Sequence, residues 1–244
     1  MSRSDTFIQI VLLLVISMGV AYIAHNYLPE KLDKVKGIEG FESKLRSFPV
    51  DAVIIIDSNN QPQLIEELKT AGIPDEKIHV MKPVQRSWKE LGTNLTHEAV
   101  LRTIVDRQWK RTLVFSEGVL LNYSRSWDRT VQQIEEFVSK SGSSDLDSTW
   151  DVILLGGSST TNPAKTEYDS IIRTKDAKCS YAYMIRSEYA KRVLENVETG
   201  VQMMIKGHPQ HSTYTLDNIF YSMKQEDRWF MCKPSLAYIK SATA

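Results

Sequence analysis

The chain has 244 residues, of which 42% are hydrophobic and 25% are charged, as in an ordinary globular protein rather than a disordered one. Lys and Arg together number 30, as do Asp and Glu, so no net charge draws the protein to nucleic acid, and we expect no nucleic-acid partner. Two cysteines, Cys179 and Cys232, are too few for a disulfide framework and lack zinc-site spacing. We expect two buried free thiols, although one bridge between them is compatible with the sequence.

Residues 7–24, FIQIVLLLVISMGVAYIA, form an uncharged apolar segment that follows a short tail at 1–6. An α-helix of this length extends about 27 Å, which is enough to cross the core of a bilayer. A buried core helix and a cleaved signal peptide are the alternatives, but a signal peptide has a shorter apolar region and a small-residue cleavage site. We therefore expect an uncleaved transmembrane signal-anchor and a single-pass membrane protein.

The side of the membrane that the rest of the chain occupies stays open. Residues 25–49 are charged and read as a linker or stalk, with five Lys and Arg side chains that favour the cytoplasmic side. Two glycosylation sequons, which begin at Asn94 and Asn122, favour a lumenal domain instead. These two indications oppose each other, so the sequence does not decide the orientation.

A single globular domain is expected over 50–244, and its first half alternates strands with helices. Residues 50–56 form a continuous apolar run with one acid, the pattern of a strand buried on both faces of a sheet. The elements expected next are a helix with Pro62 in its first turn and Gly72 at its end, a strand at 77–80 and a helix at 96–110. This alternation is typical of α/β proteins.

The second half continues the pattern with loops at 141–149 and 156–163. The elements expected there are a strand at 112–115, an amphipathic helix at 127–140, strands at 151–155 and 180–185, a helix at 187–197 capped by Ser187, a helix at 215–224 and an edge strand at 229–232. Together these elements predict one α/β sandwich, in which a sheet is flanked by helices and the ligand binds at the carboxyl ends of the strands.

Two of these strands end in an acid, Asp57 after the first strand and Glu117 after the strand at 112–115. Ligands of open α/β sheets bind at the carboxyl ends of strands, and carboxylate oxygens there suit Mg²⁺ or Mn²⁺. The alternative is that each acid caps the next turn, and for Asp57, which precedes Ser58, that interpretation fits equally well.

Five segments in order carry more information than any one of them. They are GTNLTH at 92–97, LVFSEG at 113–118, WDVILLG at 150–156, SYAYMI at 180–185 and LDN at 216–218. This succession resembles glycosyltransferase family 25, the lipopolysaccharide and collagen galactosyltransferase group, over residues 50–238. The resemblance implies a GT-A-like (Rossmann-like) mixed sheet flanked by helices. It also implies transfer of a hexosyl group from a nucleotide-sugar donor to a hydroxyl of a glycan, protein or lipid. The donor that is usual in this family is a UDP-sugar.

The resemblance assigns roles to six residues. Asp57 would lie near the nucleotide, and Thr96, His97 and Ser116 would contact the donor. Glu117 matches an acid of the family's metal-contacting run, so it would bind Mg²⁺ or Mn²⁺ and act in catalysis. Asp217 matches a late acid near the acceptor, where a carboxylate serves as general base if the reaction inverts. A structural hydrogen-bonding role for His97 and a helix-dipole role for Asp217 are the alternatives.

The chain departs from the family where the acids Glu-Asp-Asp are replaced by Ser116, Glu117 and Gly118. Losing two acids weakens a dication site, but one carboxylate with waters and substrate phosphates still suffices to hold Mg²⁺. The alternative is that basic side chains replace the metal, and the candidates for that role are Lys110, Arg111 and Arg125. The alternative function is an inactive family member that binds a glycan or a protein partner. The sequence does not support a serine hydrolase, because it contains no Gly-x-Ser-x-Gly segment. It does not support a dinucleotide oxidoreductase either, because no glycine-rich turn follows the first strand.

Overall fold

The computed structural model describes residues 50–58, 62–123, 127–140, 150–159 and 164–239. The expected tail, transmembrane segment and linker at 1–49 lie outside these residues, as do the expected loop at 141–149 and part of the loop at 156–163. Within the five described ranges, no helix is both long and apolar enough to cross a membrane.

The described residues form a mixed eight-stranded sheet and a separate two-stranded sheet. The strands are β1 (Ala52–Ile56), β2 (Ile78–Met81), β3 (Arg111–Phe115), β4 (Val119–Leu121), β5 (Val152–Leu154), β6 (Ala164–Lys165), β7 (Ile171–Arg173), β8 (Ala182–Arg186), β9 (Trp229–Cys232) and β10 (Ala237–Ile239). The large sheet has the order β2-β1-β3-β8-β5-β9-β7-β6, and β4 pairs with β10. β1, β2 and β3 are parallel, whereas β8 runs antiparallel to its neighbours β3 and β5.

Within the described ranges, five α-helices and two short 3₁₀ turns connect the strands. The helices are α1 (Pro62–Thr70), α2 (Lys89–Arg107), α3 (Trp127–Lys140), α4 (Ser187–Ile205) and α5 (Leu216–Glu226), and the 3₁₀ turns are Asp75–Lys77 and His211–Tyr214. The coarse prediction of a mixed sheet flanked by helices is therefore confirmed.

Alternate residues of the strands supply the two faces of the sheet, because successive side chains of a strand point to opposite sides. Ile54 and Val114 face α2, α4 and α5 in one large apolar cluster. Leu113 and Phe115 face the other way, towards α1 and α3, around a small apolar cavity of about 30 Å³. Each such buried apolar side chain stabilises the fold by roughly 1.5–3 kcal/mol relative to exposure.

The order β2-β1-β3 creates a topological switch point between β1 and β3. The chain leaves β1 to form β2 on one side, and it then crosses back to form β3 on the other side. α1 and α2, which make these two crossovers, pack on opposite faces of the sheet. A crevice is therefore left at the carboxyl ends of β1 and β3, the place where open α/β sheets bind their ligands.

Two predicted helices are longer than expected. The helix expected at 96–110 is α2, which begins at Lys89 and ends at Arg107. Gly92 and Asn94 disfavour helix by propensity, but both are buried in tertiary contacts that override it. The helix expected at 187–197 continues to Ile205, and no side chain caps its start.

The prediction that residues 229–232 form an edge strand is wrong. β9 lies inside the large sheet, parallel to β5 and antiparallel to β7, and the β6–β7 hairpin covers its outer side. The hairpin escaped prediction because its strands have only two and three residues, and β6 is exposed. The expectation of two free thiols is confirmed, since Cys179 and Cys232 are both buried and unbridged.

Candidate functional site

Three predicted residues lie at the carboxyl ends of β1 and β3, and two of them, Ser116 and Glu117, line the crevice there. Asp57 directly follows β1 and is 2% exposed, and its backbone N–H donates to the Met81 carbonyl. Ser116 and Glu117 directly follow β3. The hydroxyl of Ser58 donates a hydrogen bond to Oε1 of Glu117, so the ends of the two strands are joined by their side chains.

A cavity of about 270 Å³, which we call the switch-point cleft, opens at this place. Its walls are the ends of β1 and β3, the loop at 83–86 after β2, and the first turns of α2. Four of the predicted residues line it, namely Thr96, His97, Ser116 and Glu117. Side chains from separate strands, a loop and a helix are thus brought together by the β2-β1-β3 order.

Two basic residues that the sequence interpretation missed also line the cleft. Arg86 lies in the loop after β2 and Lys89 is the first residue of α2. Both are exposed, and neither forms an ion pair with another residue of the described ranges. A loop that follows the carboxyl end of a parallel strand was the signal that could have identified them.

The predicted basic replacements lie elsewhere. Lys110 and Arg111 are at the amino end of β3, where the Lys110 carbonyl accepts from the Ser187 N–H and Arg111 is paired with Arg186 across the strands. That end is the opposite edge of the sheet from Glu117, so the prediction for Lys110 and Arg111 is wrong. Arg125 lies outside the described residues.

Thr96 holds the wall of the cleft in place. Its hydroxyl accepts a hydrogen bond of 2.8 Å from the Val84 N–H and donates one of 2.7 Å to the Gly92 carbonyl. Gly92 permits this contact, because a Cβ there would lie 2.7 Å from the Val84 carbonyl oxygen. The observed role of Thr96 is therefore to fix the loop that carries Arg86, and direct contact with substrate stays a prediction.

His97 lies at the back of the cleft and is 2% exposed. Its Nδ1 is 3.0 Å from the Tyr183 hydroxyl, and its ring also contacts the ring of Phe220. Burial lowers the pKa of His97 to about 4, and the negative charge of Asp217 opposes that shift. The imidazole is therefore neutral at pH 7. This environment accommodates both interpretations of His97, since it joins the core and also faces the cavity.

Asp217 lies in a second, neighbouring cavity rather than in the cleft. This cavity of about 420 Å³, which we call the α5 cavity, lies between α5 and the chain at 177–181 that leads into β8. The Ser116 N–H donates to the Tyr181 carbonyl at 2.7 Å, so the two cavities open at the same edge of the sheet. Asp217 is exposed in the first turn of α5, where the helix dipole also favours an acid.

Asn94 connects α2, which lines the cleft, to the start of α5, which lines the α5 cavity. Its side-chain amide donates to the Tyr214 carbonyl at 2.7 Å, and its Oδ1 accepts from the Leu216 N–H at 2.9 Å. These bonds tie the start of α5, with Asp217, to α2. Asn94 is also fully buried, so in this fold its sequon is closed to glycosylation and no longer favours a lumenal domain.

The predicted metal site has one clear carboxylate in the cleft. Among the described residues, no group of three or more His, Cys, Asp and Glu side chains is arranged to hold a metal ion. Glu117 and the Ser58 hydroxyl are hard oxygen donors of the kind that Mg²⁺ and Mn²⁺ accept, with waters and substrate phosphates as further ligands. The metal stays a prediction.

Comparison with known proteins gives no family. No family model matches the chain, and no curated protein matches it. Among 21 similar solved chains is mannose-1-phosphate geranyltransferase from Thermus thermophilus, at 11% identity and a TM-score of 0.35. The match covers 80% of this chain and 63% of that one, so this chain spans less than two thirds of its length. A likeness this distant carries no argument, and the resemblance to family 25 rests on the sequence segments alone.

Proposed function

We propose that the protein is a membrane-anchored glycosyltransferase with a GT-A-like domain that transfers a sugar from a nucleotide-sugar donor to a hydroxyl acceptor. The observation that carries this proposal is the switch-point cleft between β1 and β3, which combines Arg86 and Lys89 with Glu117. Nucleotides bind at such switch points in open α/β sheets. The resemblance to family 25 supports the same reaction and favours a UDP-sugar.

The cleft suits a diphosphate because positive groups converge on one wall. Arg86 and Lys89 provide two cations, and the amino end of the 19-residue helix α2 adds a partial positive charge. Arg and Lys side chains and helix amino ends are the usual protein partners of phosphate oxygens. These groups would hold the donor and stabilise the negative charge that develops on the departing nucleoside diphosphate.

Glu117 would hold a divalent cation at the opposite wall. Its carboxylate is exposed and is oriented by the Ser58 hydroxyl, while the Ser116 N–H anchors the turn to Tyr181. Bound Mg²⁺ or Mn²⁺ would supply Lewis-acid stabilisation of the leaving diphosphate. Asp57, at the end of β1, would lie near the nucleotide, and neutral His97 would offer a hydrogen bond from the back of the cleft.

The acceptor would bind in the α5 cavity, next to the cleft. Asp217 is the exposed carboxylate there, and in an inverting reaction it would take the proton of the acceptor hydroxyl. The link between Ser116 and Tyr181 places the two cavities side by side, as transfer between a donor and an acceptor requires. The apolar segment at 7–24 would anchor this domain to a membrane.

The test is a calorimetric titration of the full chain, in detergent, with UDP and UDP-sugars in the presence and absence of Mn²⁺. Wild-type protein should bind UDP, and Lys89→Met should weaken binding about tenfold or more because a charged phosphate contact is lost. Glu117→Gln should abolish the Mn²⁺-dependent part of the affinity. The matched control is Lys165→Met, which removes an exposed lysine on β6 at the far edge of the sheet.

Three outcomes separate the alternatives. Metal-dependent binding that requires Glu117 supports the transferase, and an acceptor screen then identifies the product. Binding that requires Lys89 but not Mn²⁺ supports a transferase that holds the diphosphate by basic side chains. Failure to bind any nucleotide under either condition rejects the transferase and leaves the alternative, a fold that binds a glycan or a protein partner without transfer.

A further inference from the structure

The α5 cavity contains a buried lysine that the proposed reaction does not use. Lys224 is 3% exposed and lies on α5 seven residues after Asp217, on the same face of the helix. Its Nζ donates to the Ala177 carbonyl and lies 5.4 Å from the centre of the Trp229 ring. Within the described part of the chain, no carboxylate forms an ion pair with it.

A buried cation without a counter-ion is costly, since desolvation is repaid only by close opposite charge and hydrogen bonds. Burial lowers the pKa of Lys224, while Cys179, Asp217 and Asp176 act in the opposite direction without reversing it. One carbonyl and one aromatic face thus give Lys224 incomplete compensation. An anion that enters the cavity would supply the missing charge.

The other walls of the α5 cavity suit a sugar. Asp217 and Asn218 offer the hydrogen-bonding groups that bind hydroxyls, and Tyr181 and Tyr221 offer aromatic rings. Tyr221 is 52% exposed, an unusual position for an aromatic side chain that only packs the core. A volume of about 420 Å³ is in the range of small-molecule sites.

We propose that the α5 cavity binds a sugar that carries an acidic group, a carboxylate or a phosphate, with Lys224 as the counter-ion. The inference rests on the proposed function only in identifying this ligand as the acceptor of the transferred sugar. Asp217 and Lys224 are about 10 Å apart along the axis of α5, as seven residues of helix require. The acidic group would therefore bind beside Lys224, and the reacting hydroxyl would lie towards Asp217 and the cleft.

The experiment compares three probes that share one ring, D-glucose, D-glucuronate and glucose 1-phosphate, by calorimetry on the full chain in detergent. Wild-type protein should bind at least one of the two acidic probes about tenfold or more tightly than glucose, as expected for a charge-assisted contact. The glucuronate and phosphate arms distinguish the two sources of the anion. Lys224→Met should remove the preference, and Lys191→Met, at an exposed position on α4, should keep it.

The fold of the variant is checked by thermal unfolding. Lys224→Met replaces a desolvated charge by an apolar chain of similar length, so its Tm should stay close to that of the wild type. If this variant does not fold, Lys224→Gln gives the same comparison with a neutral polar side chain. Equal affinity for glucose and both acidic probes, no binding of any probe, or a preference that survives in a folded Lys224 variant would overturn the proposal.

Failure of this inference is distinguishable from failure of the proposed function. The UDP titration reports on the switch-point cleft, whereas the sugar probes report on the α5 cavity. Selective binding of an acidic probe without any UDP binding rejects the transferase and keeps an acidic-sugar site. UDP binding without selectivity among the three probes keeps the transferase and rejects the acidic acceptor.

Discussion

At the amino edge of the sheet the carboxylate of Asp151 is surrounded by its own partners, whereas Arg86 and Lys89 at the carboxyl edge face an open cavity. Asp151 is 4% exposed and accepts hydrogen bonds from the side chains of Arg186 and Arg228 at 2.8–3.2 Å. Arg86 and Lys89 line the switch-point cleft without an acidic partner in the described ranges. One edge thus uses charge to hold the fold, and the other leaves charge available for a ligand.

Asp151→Ala should give the largest loss of stability. It leaves Arg186 and Arg228 without their shared carboxylate and also removes the acceptor of the Arg228 N–H. We expect the free energy of unfolding to fall by about 3 kcal/mol, measured by urea denaturation. The control is Asp169→Ala, which breaks an exposed pair with Arg129 and should cost less than about 1 kcal/mol. Equal losses in the two variants would contradict the structural role of the amino edge.

Acidification should weaken the fold through His97. The pKa of His97 is about 4 in the folded state and 6.5 in the unfolded state. Between these values only the unfolded state gains the proton, so the free energy of unfolding decreases as the pH is lowered. The loss from this group is about 2 kcal/mol between pH 7 and pH 5. Urea denaturation at both pH values checks it. His97→Gln should show a smaller fall, and an unchanged fall would show that His97 titrates normally.

Thr96→Val should damage the cleft more than the fold. Without the hydroxyl, the Val84 N–H loses its acceptor and the loop that carries Arg86 is released. We expect the free energy of unfolding to fall by about 1–2 kcal/mol. The affinity for UDP should fall by a larger fraction of its wild-type value. Thr96→Ser keeps both hydrogen bonds and should restore UDP binding. A Thr96→Val protein that binds UDP as tightly as the wild type would separate Thr96 from the site.

Lys224→Met should have the smallest effect on stability, within about 1 kcal/mol of the wild type by urea denaturation. The comparison with Asp151→Ala is the informative one, because both variants remove a buried charge. A loss near that of Asp151→Ala would place Lys224 among the charges that hold the fold rather than among those available to a ligand.

The sequence predicted the strongly patterned elements well. β1, β3 and α3 were predicted because apolar runs and a three-to-four-residue apolar spacing report burial directly. The first two turns of α2 were missed because Gly92 and Asn94 are poor helix formers that only tertiary contacts explain. The interior position of β9 depends on the distant β6–β7 hairpin, which has no local signal in β9 itself.

In the site, too, the residues marked by local sequence were predicted, and those whose position depends on the three-dimensional fold were not. Asp57 and Glu117 were identified because an acid after a buried strand lies at the carboxyl edge of a sheet, whatever the strand order. Lys110 and Arg111 were chosen for nearness in sequence to Glu117, but one strand separates them from it and carries them to the opposite edge. Separating Asp217 from the cleft required the antiparallel direction of β8, which no pattern in the sequence reveals.

The central claim is that the carboxyl ends of β1 and β3 form a nucleotide-sugar site. Hydrogen–deuterium exchange of the full chain with and without UDP and Mn²⁺ tests it most directly, because it reports where the ligand binds. We predict slower exchange in the loop at 83–86 and in residues 116–118, with no change at the amino edge around Asp151. Unchanged exchange at both cleft segments, or protection confined to the amino edge, would contradict the account.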